Sequence, residues 1–195
     1  MRISGGGARG ITLAVPRGDA VRPATDGMRQ ALFSSLGARV VDAHFLDLFA
    51  GSGGYGLEAL SRGAAGGVFV EQNAKAAACV RQNLGAVCKS LGRDTGGLVV
   101  LQADARTVPL GGGDVPDLVF IDPPYELIPE LAPALFARLA DVLRPKPQAL
   151  VLFELPGELE LAPPGWTLRK RIGKGARQPT VAVFERAEGS EKLTG

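Results

Sequence analysis

The feature that most restricts the fold is an alternation beginning near Val40, in which short apolar runs are followed by helical patterns. Residues 45–49, 67–71, 98–102, 118–121 and 149–154 are near-continuous apolar runs. Strands of that kind are buried on both faces, as in a parallel sheet covered by helices. Between them the spacing predicts helices over Gly54–Ser61, stopped by Gly63, over Ala74–Leu91, with Ala77, Val80, Leu84 and Val87 on one face, and over Ile128–Val142, with Leu131, Leu135 and Leu139. Short loops joining such units imply a doubly wound α/β fold that binds its ligands at the carboxyl ends of the strands. After Pro163-Pro164 the pattern changes. Trp166-Thr167-Leu168 and residues 180–184 read as antiparallel strands connected through Gly173-Lys174-Gly175. The expectation is therefore a Rossmann-like, mostly parallel, seven-stranded sheet that ends in an antiparallel hairpin.

Ahead of the alternation, Ile3, Ile11, Leu13 and Val15 surround Gly5-Gly6-Gly7 and Gly10, which predicts a β-hairpin extension carrying Arg2, Arg9 and Arg17. Thr25 or Asp26 is placed to cap a helix reaching Leu36, with Met28, Leu32 and Phe33 on one face and Arg22 and Arg29 near its start. The expected division is a hairpin and helix over 1–36, an α/β domain over 37–186 and a disordered tail over 187–195. At 195 residues and 46% hydrophobic content, the chain can bury a full core. No run is long enough to span a bilayer and the N-terminus has no apolar signal core, so a cytoplasmic location is expected. Cys79 and Cys88 suit neither a zinc knuckle nor a predictable disulfide and are expected as buried or half-buried thiols. His44, the single histidine, precedes a strand, so neither a histidine triad nor a metal site is expected. The net charge of +2 divides unevenly: +4 over residues 1–40, −6 over 41–165 and +4 over 166–195. A polyanion would meet the two basic flanks.

Gly51-Ser52-Gly53-Gly54-Tyr55-Gly56 has the spacing of a nucleotide-binding glycine turn between a strand and a helix, and Glu71 closes the next strand twenty residues beyond Gly51. The glycines admit a ligand close to the backbone, and the carboxylate can bind two ribose hydroxyls. NAD, FAD and S-adenosylmethionine all meet that description. Asp47 separates them, because a carboxylate at that strand end repels a pyrophosphate and suits a cationic methionine moiety. Asp104, at the end of the third strand, can accept an adenine amino group or, alternatively, cap a helix. Asp42 and Glu58 read as structural positions, one leading into a strand and one on an exposed helix face.

Asp122-Pro123-Pro124-Tyr125 closes the fourth strand. Two prolines stiffen the turn and give up their amide donors, leaving carbonyls directed outward. Those carbonyls and the Asp122 carboxylate can accept both N–H bonds of an amino group, and the Tyr125 ring offers a stacking face. With the glycine turn upstream, this points to methyl transfer onto the exocyclic amine of a base.

On these residues the chain resembles the bacterial small-subunit ribosomal RNA guanine-N2 methyltransferases, which modify one guanine of 16S ribosomal RNA with S-adenosylmethionine. The resemblance is carried by Arg2-Ile3 with Gly5-Gly6 and Arg9-Gly10, by Arg22-Pro23, Thr25-Asp26, Arg29 and Leu32-Phe33, by Asp47 and Phe49–Gly53 with Gly56, by residues 58–63, and by Asp122–Tyr125, in that order. It implies that Asp47, Phe49, Gly51, Ser52, Gly53, Glu71, Gln72, Asp104 and Ala105 hold S-adenosyl-L-methionine, released as S-adenosyl-L-homocysteine. It also implies catalytic roles for Asp122, Pro123, Pro124 and Tyr125, and RNA contacts for Arg2, Arg9, Arg22, Arg29, Arg171 and Lys174. The implied partner is 16S ribosomal RNA or the small ribosomal subunit, with a monomer as the expected state. The chain departs from the family at Gly27 and Gln30, where the family has Arg and Glu, and over Arg171–Gly175, where it often has an aromatic-glycine pair. Rival readings are a DNA adenine or cytosine amino-methyltransferase, a protein-amide methyltransferase, an NAD(P)-dependent oxidoreductase and a catalytically idle RNA-binding module.

Overall fold

The computed structural model describes residues 1–16, 26–111, 113–175 and 178–187. Arg17, Arg22, the Thr25 cap and the 188–195 part of the tail fall outside the described residues. Helix α1 (Asp26–Leu36) leads through a 3-10 turn to β1 (His44–Leu48). There follow α2 (Gly54–Ser61), β2 (Gly66–Val70), α3 (Ala74–Leu91), β3 (Leu98–Leu101), β4 (Leu118–Ile121), α4 (Ile128–Val142), β5 (Leu150–Pro156), β6 (Trp166–Ile172) and β7 (Pro179–Arg186).

The seven strands form one sheet in the order β3-β2-β1-β4-β5-β7-β6. The first five are parallel, whereas β7 runs antiparallel to both β5 and β6. Chain order reverses between β1 and β4. Loops leaving those two strands diverge to opposite sides and open a crevice at their carboxyl ends.

Alternate side chains of each strand enter two apolar layers. Phe45, Phe69, Leu118, Phe120, Leu150 and Leu152 pack with Leu32 and Phe33 of α1, Leu57 and Leu60 of α2, and Val80 and Leu84 of α3. Leu46, Leu48, Val119, Ile121, Val151 and Phe153 pack with Leu131, Leu135 and Leu139 of α4. β3 departs from the expected two-sided burial: Val99 and Leu101 are 45% and 36% exposed. It is an edge strand, and residues 102–117 supply no described helix to cover its α4-side face.

The N-terminal arm is a minimal hairpin. Arg2 bridges Thr12, and Ile3 N–H donates to the Ile11 carbonyl at 3.0 Å. Its Gly5–Gly7 bend clasps the last turn of α2, where Gly7 N–H donates to the Ser61 carbonyl at 2.7 Å and Ser61 Oγ donates to the Gly5 carbonyl at 2.6 Å. A Cβ on Gly6 would lie 1.8 Å from that Ser61 oxygen, so the contact requires glycine.

Glu58 corrects the reading of an exposed helix position, since it is fully buried. Its carboxylate accepts Ser4 N–H at 2.8 Å, Ser4 Oγ–H at 2.7 Å and Arg62 Nε–H at 2.9 Å, and lies 3.8 Å from Arg29 Nε. A helix so short and so apolar is buried all round, and its one acid is tolerated there because it accepts three hydrogen bonds and lies beside two guanidinium groups.

Candidate active site

β1 and β4 are adjacent and in register, Leu48 opposite Ile121, so the glycine turn leaving β1 and the proline turn leaving β4 rise side by side. The corner and the nucleotide turn are neighbours, with Asp122 N–H directed to the Leu48 carbonyl at 3.4 Å. Phe49 takes a left-handed φ of 60° where the chain leaves β1, one of two non-glycine residues to do so among the described residues. Gly51 and Gly53 follow with φ of 56° and 87°.

Asp47 lies beneath this turn, 1% exposed, and accepts Gly56 N–H at 2.9 Å. Burial pushes its carboxyl up to about 7; the Gly56 bond opposes that rise and the charge of Glu71 adds to it. From beneath the loop Asp47 holds the first turn of α2. Glu71, at the end of β2, accepts Gly51 N–H at 2.8 Å with one oxygen and Asn73 N–H at 2.7 Å with the other. Asn73 in turn caps α3 through Lys75 and Ala76 N–H. Each Glu71 oxygen keeps a lone pair for a hydroxyl. Gln72 is exposed at the rim, Ser52 is buried, and Gly53 is buried against Leu57 and Val80.

Asp104 is held in an Asx turn, accepting Arg106 N–H at 2.9 Å, and its carboxylate pairs with the Arg106 guanidinium at 2.6 Å. Arg106 holds that carboxyl below its usual range. No helix starts there, so the capping alternative reduces to a turn. Ala105 is buried beside it. Arg138 of α4 donates to the carbonyls of Ala105, Arg106 and Val108 and so pins this loop from below.

In the proline turn Pro123 is buried, whereas Pro124 and Tyr125 are exposed. The Pro124 carbonyl accepts Leu127 N–H at 3.0 Å and starts the short 3-10 turn Tyr125–Leu127. Asp122 continues the side-chain parity of Phe120 and faces the α2 layer together with Asp47 and Glu154. Burial, then Glu154, then Asp47 raise the Asp122 carboxyl well above the usual carboxylate range. Glu154 of β5, 4% exposed, accepts the Tyr55 hydroxyl at 2.5 Å and also the hydroxyl of Tyr125.

The basic residues separate into two groups. Arg29, read as an RNA contact, is fully buried; it pairs with Asp26 at 2.5 Å, approaches Glu58 and donates to the Arg2 carbonyl at 2.6 Å, so its charge is spent inside the fold. Arg171 donates to the carbonyls of Pro156, Gly157 and Leu159 and pins the loop after β5 instead of facing solvent. Arg2, Arg9 and Lys174 are exposed. Arg9 lies beside the Ser61 end of α2, and that eight-residue helix spans about 12 Å, so Arg9 stands at the far edge of the sheet from the crevice. Arg2 is at the near edge, its N–H directed to Asp26. Lys174 follows Gly173, whose added Cβ would touch Met28 of α1. α1 thus bridges the arm and the β6–β7 connection.

Asn83 of α3 was not visible as a site residue. Buried, it exchanges hydrogen bonds with Ala14 N–H (2.7 Å) and Ala14 carbonyl (2.9 Å) and donates to the Ser52 carbonyl at 2.9 Å, tying the arm to the glycine turn. Cys88 is buried and Cys79 half-buried, both as free thiols. Among the described residues no group of three His, Cys, Asp or Glu could hold a metal ion, and no helix is long and apolar enough to cross a membrane.

Comparison with known proteins places the chain among relatives of known fold. Residues 1–183 match the family model described as Conserved hypothetical protein 95. The chain is 34% identical to the ribosomal RNA small subunit methyltransferase D of Escherichia coli K12, over 98% of this chain and 92% of that protein. The solved structure of the Escherichia coli protein yhhF superposes with a TM-score of 0.74 at 32% identity, covering 95% of this chain and 97% of its own. At 18% identity and a TM-score of 0.61, covering 89% of this chain and 99% of its own, an RNA methyltransferase from Salinibacter ruber solved with S-adenosyl-L-homocysteine shares the fold.

Proposed function

The chain belongs to the family described as Conserved hypothetical protein 95, and from that membership and its likeness to small-subunit ribosomal RNA methyltransferase D we propose that it transfers a methyl group from S-adenosyl-L-methionine to N2 of a guanine in 16S ribosomal RNA. The observation that carries the reading is the register of β1 and β4, which sets the glycine turn and the Asp122-Pro123-Pro124-Tyr125 corner on adjacent strand ends.

The residues present fit the donor. Glu71 offers acceptors for two ribose hydroxyls, Asp104 for an adenine amine once Arg106 swings aside, and Asp47 lies beneath the loop, where a sulfonium would favour its ionised form and a pyrophosphate would oppose it. That last point argues against an NAD(P)-dependent reading. When bound, the donor supplies an electrophilic methyl carbon: the N–C bond forms as the S–C bond breaks, and sulfur keeps the electron pair. Asp122 and the Pro123 carbonyl accept the two N–H bonds of the amine, which favours a pyramidal nitrogen whose lone pair faces that carbon. The amine becomes acidic after transfer, and its proton passes to Asp122 or to solvent. The exposed Tyr125 ring stacks on a base turned out of its helix, while Arg2 and Lys174 bind phosphates on either side. The substrate is 16S ribosomal RNA, either free or within an assembling small subunit.

Incubation with methyl-labelled donor and 16S ribosomal RNA, small subunits or duplex DNA, followed by nucleoside mass spectrometry, tests the proposal. N2-methylguanosine in the ribosomal RNA is the expected product. Label in DNA adenine or cytosine, or in none of the three, overturns it.

A further inference from the structure

Glu154 lies outside every motif that points to methyl transfer, yet it occupies the centre of the site. Ile121 of β4 pairs with Phe153 of β5, so the next residues, Asp122 and Glu154, stand side by side on neighbouring parallel strands, with backbones about 4.8 Å apart. Both face the α2 layer. Above Glu154 lies Tyr55, the residue that interrupts the glycine turn; its ring is 5% exposed and stacks on Phe120 at 5.4 Å and 5°. On the other side is Tyr125 of the proline turn, 38% exposed. Glu154 accepts hydroxyl hydrogen bonds from both tyrosines.

We propose that Glu154 is a positioning residue for methyl transfer: by accepting from Tyr55 behind the donor loop and from Tyr125 in the base turn, it fixes the distance between donor and target nitrogen. The proposal rests on the reading of this site as a methyltransferase. The carboxylate thus joins the two turns through side chains, beside the backbone bond from Asp122 N–H to the Leu48 carbonyl. A ring held by its hydroxyl also presents a fixed plane for stacking, whereas a phenylalanine there would be free to swing about its χ1 and χ2 torsions.

The same carboxylate governs when Asp122 can accept. The groups facing the pair are Asp47 from β1, Tyr55 from α2, Tyr125 from the turn and Arg29 from α1, while β7 presents Val181 opposite Glu154. The half-buried Asp122 and the buried Glu154 stand on neighbouring strands and resist ionising together, so both carboxyls are raised and titrate as a pair. Removing the charge of Glu154 lets Asp122 ionise at lower pH.

The test is single-turnover methyl transfer with wild type, Glu154→Gln, Tyr125→Phe and the double variant, alongside donor affinity by calorimetry. Expected are a loss in kcat of about tenfold or more in each single variant, with the double variant no slower than Glu154→Gln, since both changes break one unit. Donor affinity should stay within about threefold, and the acidic limb of the pH–rate profile should move to lower pH in Glu154→Gln alone. Tyr125→Phe alters an exposed side chain and keeps the fold, so its rate reports positioning even if Glu154→Gln is poorly folded. Wild-type rates in Tyr125→Phe, losses that multiply in the double variant, or an unmoved acidic limb would each overturn the role. A wild-type protein that methylates no RNA would instead overturn the function on which it rests.

Discussion

Replacing Gly56 with Ala tests whether the last glycine of the turn serves packing and not ligand contact. A Cβ there would meet Phe69 Cε1 at 2.3 Å, Phe45 Cε2 at 2.7 Å and Phe69 Cζ at 2.8 Å. Carbon atoms rest about 3.5–4.0 Å apart, so something must move by an ångström or more. The rings have nowhere to go: both are buried and locked edge to face at 5.1 Å. α2 must therefore lift from the sheet, stretching the Gly56 N–H bond to Asp47 and dragging the glycine turn with it. Overpacking of this kind costs about 3 kcal/mol, at the upper end of its usual range. For a chain of this length that lowers Tm by roughly 6–12 °C. Thermal melts followed by circular dichroism, with calorimetric titration of S-adenosyl-L-homocysteine, should show the drop together with donor affinity weakened by about tenfold, or 1.4 kcal/mol. Gly85→Ala is the control. It lies in the middle of α3 with nothing within 4 Å of an added Cβ, so it should gain up to about 1 kcal/mol from helix propensity alone. A Gly56→Ala protein that melts within about 2 °C of wild type, roughly 1 kcal/mol or less, would refute the packing argument.

Glu58→Ala removes one of the two carboxylates that face the buried Arg29 and frees Ser4, and should cost about 3–5 kcal/mol in urea denaturation; a loss under about 1 kcal/mol would mean that Arg29 finds water. The Asp47 carboxyl ionises at about 7 when folded against 3.8 ordinarily, so the native state keeps a proton that the unfolded chain releases between those values. Its stabilising contribution is complete below the lower value and disappears as pH rises to the upper one, so Asp47→Asn should hold up better than wild type above pH 7, and parallel stability–pH curves would contradict this. Arg2→Ala and Lys174→Ala should each reduce the slope of log K against log salt for RNA by about 1, measured by filter binding, whereas Arg29→Lys should alter stability and leave the slope unchanged. Asn83→Ala strands the Ala14 and Ser52 backbone groups and should cost about 1–3 kcal/mol, read from chemical denaturation.

The layering was legible because buried strands and amphipathic helices announce themselves through local periodicity. α2, α3 and α4 fall where the spacing places them, and the switch between β1 and β4 follows from strand–helix alternation once handedness is fixed. Sequence separation hid the polar interior. Glu58 meets Ser4 fifty-four residues away, and Tyr55 meets Glu154 across ninety-nine. No window of a turn or two can pair such groups, so charged side chains default to solvent and Arg29 was assigned to RNA.

A usable signal nevertheless existed in parity. Arg29 is three and four residues before Leu32 and Phe33, on their face of α1, and Asn83 shares the face of Val80 and Val87. Asp47, Asp122 and Glu154 each lie two residues beyond an apolar side chain of the α2 layer: Phe45, Phe120 and Leu152. A charged residue that continues the buried phase of a strand must either be neutral or be held by partners, because water cannot reach it to offset the lost solvation. Glu71, two residues beyond Phe69, belongs with them, and the four acids stand at the carboxyl ends of four consecutive strands, β2, β1, β4 and β5, where the layers open. Asp47 secures the first turn of α2 through Gly56 N–H, Asp122 opens the proline turn, and Glu154 ties the end of β5 to Tyr55.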